Sequence, residues 1–155
     1  RIIEDVAELL ADRAQEKSIE MVCSIDRTLP RWIRGDPGRL RQILTNLVGN
    51  AVKFTGEGEV RVVVRRQGRW LTVMVSDTGC GIAPERLPHV FEPFALGDES
   101  RTRQPGGAGL GLPISRRLAE MMGGKLTLES APGKGTTAII RMPRARVMTP
   151  DKDAE

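Results

Sequence analysis

Two asparagines stand four residues apart in the apolar stretch NLVGNAVKFT, at Asn46 and Asn50. Asn is a weak helix former because its amide competes for backbone partners. At this spacing, however, both side chains leave one face of a helix. A side-chain amide oxygen on a rigid helix suits a hard cation such as Mg²⁺, which takes oxygen ligands and shares them with substrate phosphates and water. Lys53 lies three residues on, close to the same face, where an ammonium can neutralise a phosphate oxygen. Taken singly, Asn46 also reads as a buried amide bonded to backbone, and Lys53 as a solvated helix end.

Three glycine-bearing stretches add to this chemistry. SDTGCGI sets Asp77 at the end of an apolar run, ahead of Gly79 and Gly81. A carboxylate there can accept from an exocyclic amine while a flat ring approaches the small glycines, or it can close an Asx-turn on its own backbone. GGAGLGL, residues 106–112, leads into helical spacing, so its freed N–H groups form an anion site or a hinge. It fits neither the dinucleotide-binding glycine pattern nor a Walker loop. GKGTT, residues 133–137, reads as a hairpin turn whose hydroxyls can reach a bound ring.

The elements that must position these residues follow from periodicity. Ile2, Ile3, Val6, Leu9 and Leu10 share one face of an opening helix. SIEMVCSID alternates, which predicts a strand burying Ile19, Met21, Cys23 and Ile25. Asp36 as N-cap with Pro37 in the first turn starts a second helix, with a stripe of Leu40, Ile43, Leu44, Leu47, Val48, Ala51 and Val52. EVRVVVRR and RWLTVMVSD form a hairpin through Gln67-Gly68. The polar, Gly-rich stretch 97–109 reads as a lid or a disordered connection. A helix ending at Gly123-Gly124 and a hairpin turning at APGKG complete the order. Strands grouped as hairpins with helices between them predict an α/β fold: a mixed, mostly antiparallel sheet covered on one face by helices. The domain is expected over 1–143, with 144–155 a linker or disordered tail.

Composition narrows the function classes. The chain has 155 residues, with 39% apolar, 28% charged and a net charge of +4, suiting one globular domain with some affinity for phosphate. Three Phe, two Trp and no Tyr leave little for base stacking, against a nucleic-acid module. No apolar run is long enough to span a bilayer. Cys23 and Cys80 lack metal-ligand spacing and fit reduced thiols in a cytoplasmic setting.

In order and spacing, NLVGNAVKFT, DTGCGI, FEPF and GGAGLGL resemble the N box, first glycine box, F box and second glycine box of sensor histidine kinases. GKGTT is similar to the family's third glycine element, and the resemblance covers nearly the whole chain. It implies the Bergerat ATP-binding fold, a two-layer α/β sandwich with a flexible ATP lid, shared with gyrase, Hsp90 and MutL. It implies that Asn50 ligates Mg²⁺ while Asn46 assists at the phosphates, that Lys53 contacts phosphate, and that Phe54 lies against adenine. By the same resemblance Asp77 bonds the adenine amino group, and Gly79, Gly81 and Ile82 wall the base pocket. Gly107, Gly109, Leu110 and Gly111 wrap the triphosphate, Arg101 and Arg103 reach the γ-phosphate, and Thr136 touches the base edge through water. Phe91 and Phe94 anchor the lid.

The ATP-hydrolysing relatives carry a Glu where this chain has Asn46, an amide unable to act as a general base. The expectation is therefore a site that holds Mg-ATP and presents the γ-phosphate to a histidine elsewhere, on a dimerisation domain. His89 reads as a surface or anchoring residue. A receiver domain or response regulator is the expected onward partner, within a homodimeric inner-membrane sensor of the hybrid type. Ala108 stands where many relatives carry Ser or Thr. An ATPase or chaperone-type domain is the alternative within the superfamily.

Overall fold

The computed structural model describes residues 1–29, 32–33, 36–93, 111–143 and 147–148. Its elements are α1 (Ile2–Glu16), β1 (Ile19–Ile25), β2 (Trp32–Ile33), α2 (Pro37–Phe54), β3 (Gly58–Gln67), β4 (Trp70–Asp77), α3 (Gly111–Met121), β5 (Lys125–Ala131), β6 (Gly135–Pro143) and β7 (Val147–Met148). A short 3-10 turn, Leu87–His89, falls between β4 and α3.

Five strands form one sheet in the order β1-β3-β4-β6-β5. The β1–β3 pairing is parallel and the other three are antiparallel. This is the mixed, mostly antiparallel sheet that the strand grouping predicts. A parallel pair needs a crossover, and α2 supplies it between β1 and β3. Alternation fixes the register: Leu71 pairs with Met142, Val73 with Ile140 and Val75 with Ala138. These side chains point to one face, with Val60, Val62 and Val64 of β3 beside them. Ile43, Leu44, Leu47, Val48, Ala51 and Val52 of α2 close over that face, and all are buried. The start of α2 matches its sequence signal, since Asp36 Oδ1 accepts from Gly38 N at 3.0 Å and Arg39 N at 3.2 Å.

Two expectations need correction. Only Ile19 of the expected inward face of β1 is buried; Met21 is half-covered, Cys23 is exposed and Ile25 is 42% exposed. As the sheet's edge, β1 has a neighbouring strand on one side only, and α1 also packs inward against α2. Leu9, placed on the inward stripe of α1, is 66% exposed, whereas Val6, Leu10 and Ala14 carry the contact. Within 144–155, the stretch expected to be a linker or disordered tail, the described residues form β7, whose Val147 pairs with Ile33 and Met148 with Trp32. A two-residue ladder carries too little periodicity to be read from sequence.

Candidate nucleotide site

The carboxylate of Asp77 ends β4, the central strand of the sheet, and its two oxygens have different surroundings. Oδ1 accepts from Gly79 N at 2.9 Å and from Thr136 N at 3.2 Å. Oδ2 has no hydrogen bond among the described residues. The Asx-turn thus forms on Oδ1, and among the described residues Oδ2 stays available as an acceptor. Burial raises the Asp77 carboxyl above its ordinary value, and the two backbone bonds draw it partway back.

The turns around Asp77 lock onto one another. Phe54 O accepts from Cys80 N at 3.3 Å, joining the end of α2 to the first glycine stretch. Cys80 O accepts from Gly133 N at 2.8 Å, joining that stretch to the β5–β6 turn. Gly81, at φ +72, has no room for a side chain, because a Cβ would collide with the Ala131 carbonyl.

Ser130, which the motif reading passed over, is the centre of this junction. Its Oγ accepts from Ile82 N at 2.8 Å, donates to Gly135 O at 3.0 Å and shares a 2.8 Å bond with Thr136 Oγ1. With the Thr136 hydroxyl donating, the serine uses its one proton and both lone pairs.

On α2, Asn46 and Asn50 share a face, as their spacing requires, yet differ in what they meet. Asn46 Nδ2 donates to Ser115 Oγ at 3.2 Å and approaches Gly111 O at 3.5 Å, both on α3. The half-buried amide of Asn50 has no partner among the described residues. Lys53 Nζ stands 5.3 Å from the centre of the Phe54 ring. Behind them Lys17, also missed in sequence, caps the end of α2 by donating from Nζ to Val52 O at 2.7 Å and Lys53 O at 2.9 Å.

Asn46, Asn50, Lys53, Phe54, Asp77, Gly79, Gly81, Ile82, Gly111 and Thr136 thus fall on four neighbouring segments joined by hydrogen bonds. Arg101, Arg103, Gly107, Gly109 and Leu110 lie outside the described residues, as does Phe94. Phe91 packs partly buried against the core, with the Arg116 guanidinium 5.0 Å from its ring centre. His89 is exposed and bonded through Nδ1 to Glu92 Oε1 at 2.9 Å. A concavity of about 680 Å³ is an open groove between α1 and β1 beside Ala7, Ala11, Ile19 and Met21. It contains none of the motif residues and presents mostly apolar walls, so the bonded junction at Asp77 is the better guide to chemistry.

Residues 35–146 match the family described as histidine kinase-, DNA gyrase B- and HSP90-like ATPases. The chain belongs to this family. The sensor protein GacS of Pseudomonas syringae pv. syringae is 43% identical over 152 residues, covering 94% of this chain and 17% of that protein. The sensor protein TorS of Escherichia coli K12 is 39% identical, covering 92% of this chain and 15% of that protein. The chain thus spans about a sixth of these curated relatives. Among solved structures, full-length ShkA in complex with AMPPNP superposes with a TM-score of 0.80 at 40% identity, over 92% of this chain and 29% of that one. The nucleotide-free catalytic domain of the histidine kinase ThkA gives 0.76 at 28% identity, over 92% of each chain. In sequence and fold this family member is similar to histidine kinase catalytic domains. No helix among its described residues is long and apolar enough to cross a membrane.

Proposed function

We propose that this domain binds Mg-ATP and delivers the γ-phosphoryl group to a histidine on a separate dimerisation domain of the same protein. The observation that carries the reading is the division of labour at Asp77. Its Oδ1 is held by two backbone donors while Oδ2 is left to accept, which selects a ligand edge bearing an exocyclic amine. Phe54, Gly79, Gly81 and Ile82 form the surroundings of the base, with Thr136 at its edge. Lys53 neutralises phosphate at the end of α2, and Gly111 with Gly107, Gly109 and Leu110 takes the rest of the triphosphate. Arg101 and Arg103 are assigned to the γ-phosphate by sequence.

The amide of Asn50, without a partner among the described residues, fits a Mg²⁺ ligand. Asn50 would hold the ion through its amide oxygen, the ligand type that Mg²⁺ takes alongside phosphates and waters. Bound there, Mg²⁺ would supply positive charge against the polyphosphate. In the reaction a histidine nitrogen bonds to the γ-phosphorus as the bridge to the β-phosphate breaks, and ADP leaves. The domain's residues orient the chain and stabilise charge, and none needs to be a base. Asn46 cannot activate water, which favours transfer over hydrolysis. A receiver domain or response regulator is the onward acceptor, and the parent protein is a homodimeric inner-membrane sensor of the hybrid type.

Titration of the wild type and Asn50→Ala with an ATP analogue, with and without Mg²⁺, tests this. Wild type is expected to bind more tightly with the metal, and Asn50→Ala to lose most of that gain. Equal, metal-independent affinity in both proteins contradicts the role of Asn50. Incubated alone with labelled ATP, the domain is expected to leave His89 unlabelled.

A further inference from the structure

The two asparagines that sit one turn apart on α2 have different partners, and the difference assigns them different work. Asn50 has no partner for its amide among the described residues. Asn46 has its nitrogen committed to α3: 3.2 Å to Ser115 Oγ and 3.5 Å to Gly111 O. The orientation of the amide follows from chemistry, since the Gly111 carbonyl can only accept and must therefore face Nδ2. Ser115 has 0% exposure, and a buried hydroxyl needs a partner; 69 residues away in sequence, Asn46 supplies it. Gly111 and Ser115 are themselves four apart, on one face of the first turn of α3. One amide group thus meets both ends of that turn.

We infer that Asn46 is a positioning residue: it pins the first turn of α3 to α2 and acts on bound polyphosphate through the placement of Gly111, not by touching it. The inference rests on the nucleotide reading above and revises one part of it. A direct phosphate contact by Asn46 needs its amide nitrogen, and that nitrogen is already engaged. The pairing also explains why a helix former is absent at position 46: Leu or Ala would leave the Ser115 hydroxyl buried and unmet.

Two measurements on the wild type, Asn46→Ala, Ser115→Ala and the double variant test this. The first needs no ligand: amide hydrogen exchange over residues 115–118 in nucleotide-free protein. Both single variants are expected to exchange about fivefold faster there than wild type, and the double variant no faster than either, as for one shared hydrogen bond. The second is the affinity for adenylyl imidodiphosphate with Mg²⁺. Both single variants should lose about the same factor, roughly three- to tenfold, without further loss in the double variant. If Ser115→Ala binds like wild type while Asn46→Ala binds weakly, Asn46 touches the nucleotide itself and the inference is overturned. Wild-type exchange in either single variant overturns it too. Failure of the wild type to bind the analogue refutes the nucleotide reading instead, and the exchange data then decide the α2–α3 joint by themselves.

Discussion

Lys17 Nζ donates to the Val52 carbonyl at 2.7 Å, across 35 positions of sequence, and reaches Lys53 O as well. The last carbonyls of a helix have no intrahelical donors and carry partial negative charge, so an ammonium there satisfies two of them and complements the dipole. The turn between α1 and β1 thereby fixes the segment bearing Lys53 and Phe54. Lys17→Met is expected to destabilise the domain by about 2 kcal/mol, the scale of hydrogen bonds to a charged group. Urea denaturation should show it as a lower midpoint at unchanged slope, with Lys17→Arg falling between the two.

Asp77→Asn separates the two oxygens of the acid. The amide keeps an acceptor for Gly79 N and Thr136 N but replaces the free acceptor with a donor, which opposes an exocyclic amine. ATP-analogue affinity should fall at least about tenfold, the scale of a lost charged hydrogen bond plus an unmatched donor. Stability should not fall with it. Because burial holds the folded Asp77 carboxyl above its unfolded value, the protonated form is favoured in the native state. Its contribution is full below the unfolded pKa and is lost as pH rises through the folded one. Wild-type denaturation midpoints should therefore carry a downward contribution across that acidic window, absent from Asp77→Asn.

Ser130→Ala removes an acceptor from Ile82 N, a donor to Gly135 O and the partner of Thr136 Oγ1. The expected loss is about 2 kcal/mol, with analogue binding weakened because the backbone at Ile82 is no longer tied to the β5–β6 hairpin. Thermal melts and titration of the same samples would reveal a wrong assignment if stability fell and affinity did not.

The turn glycines at 133 and 135 make an internal control, since both have positive φ, +73 and +88. A Cβ at Gly133 meets open space, so Gly133→Ala is expected to cost about 1–2 kcal/mol from backbone conformation alone. At Gly135 a Cβ would strike the Asp77 carbonyl. Gly135→Ala should cost distinctly more, and should weaken nucleotide binding by shifting Asp77. Chemical denaturation ranks the two directly.

Residue periodicity made most of the scaffold legible. The α2 stripe, the Asp36 cap and both hairpins obey local rules, so they can be read from neighbours. The candidate residues Asp77 and Asn50 also stand out in the sequence, because each is a polar group that interrupts an apolar pattern. Lys17, Ser115 and Ser130 were not. Each looks like an ordinary surface residue in its own segment, and its meaning comes from a partner 35, 69 or 48 positions away. The uncovered half of β1 was hidden for a related reason: alternation gives the side a residue faces, not whether anything covers that side.

The place of β4 in the sheet has a consequence for affinity. β4 is paired on both flanks as far as Ser76. Asp77 pairs with Val60 while its Oδ1 accepts from Gly79 N and Thr136 N, so the acid is held before a ligand arrives. The end of the site proposed to read the purine should therefore require little ordering entropy on binding.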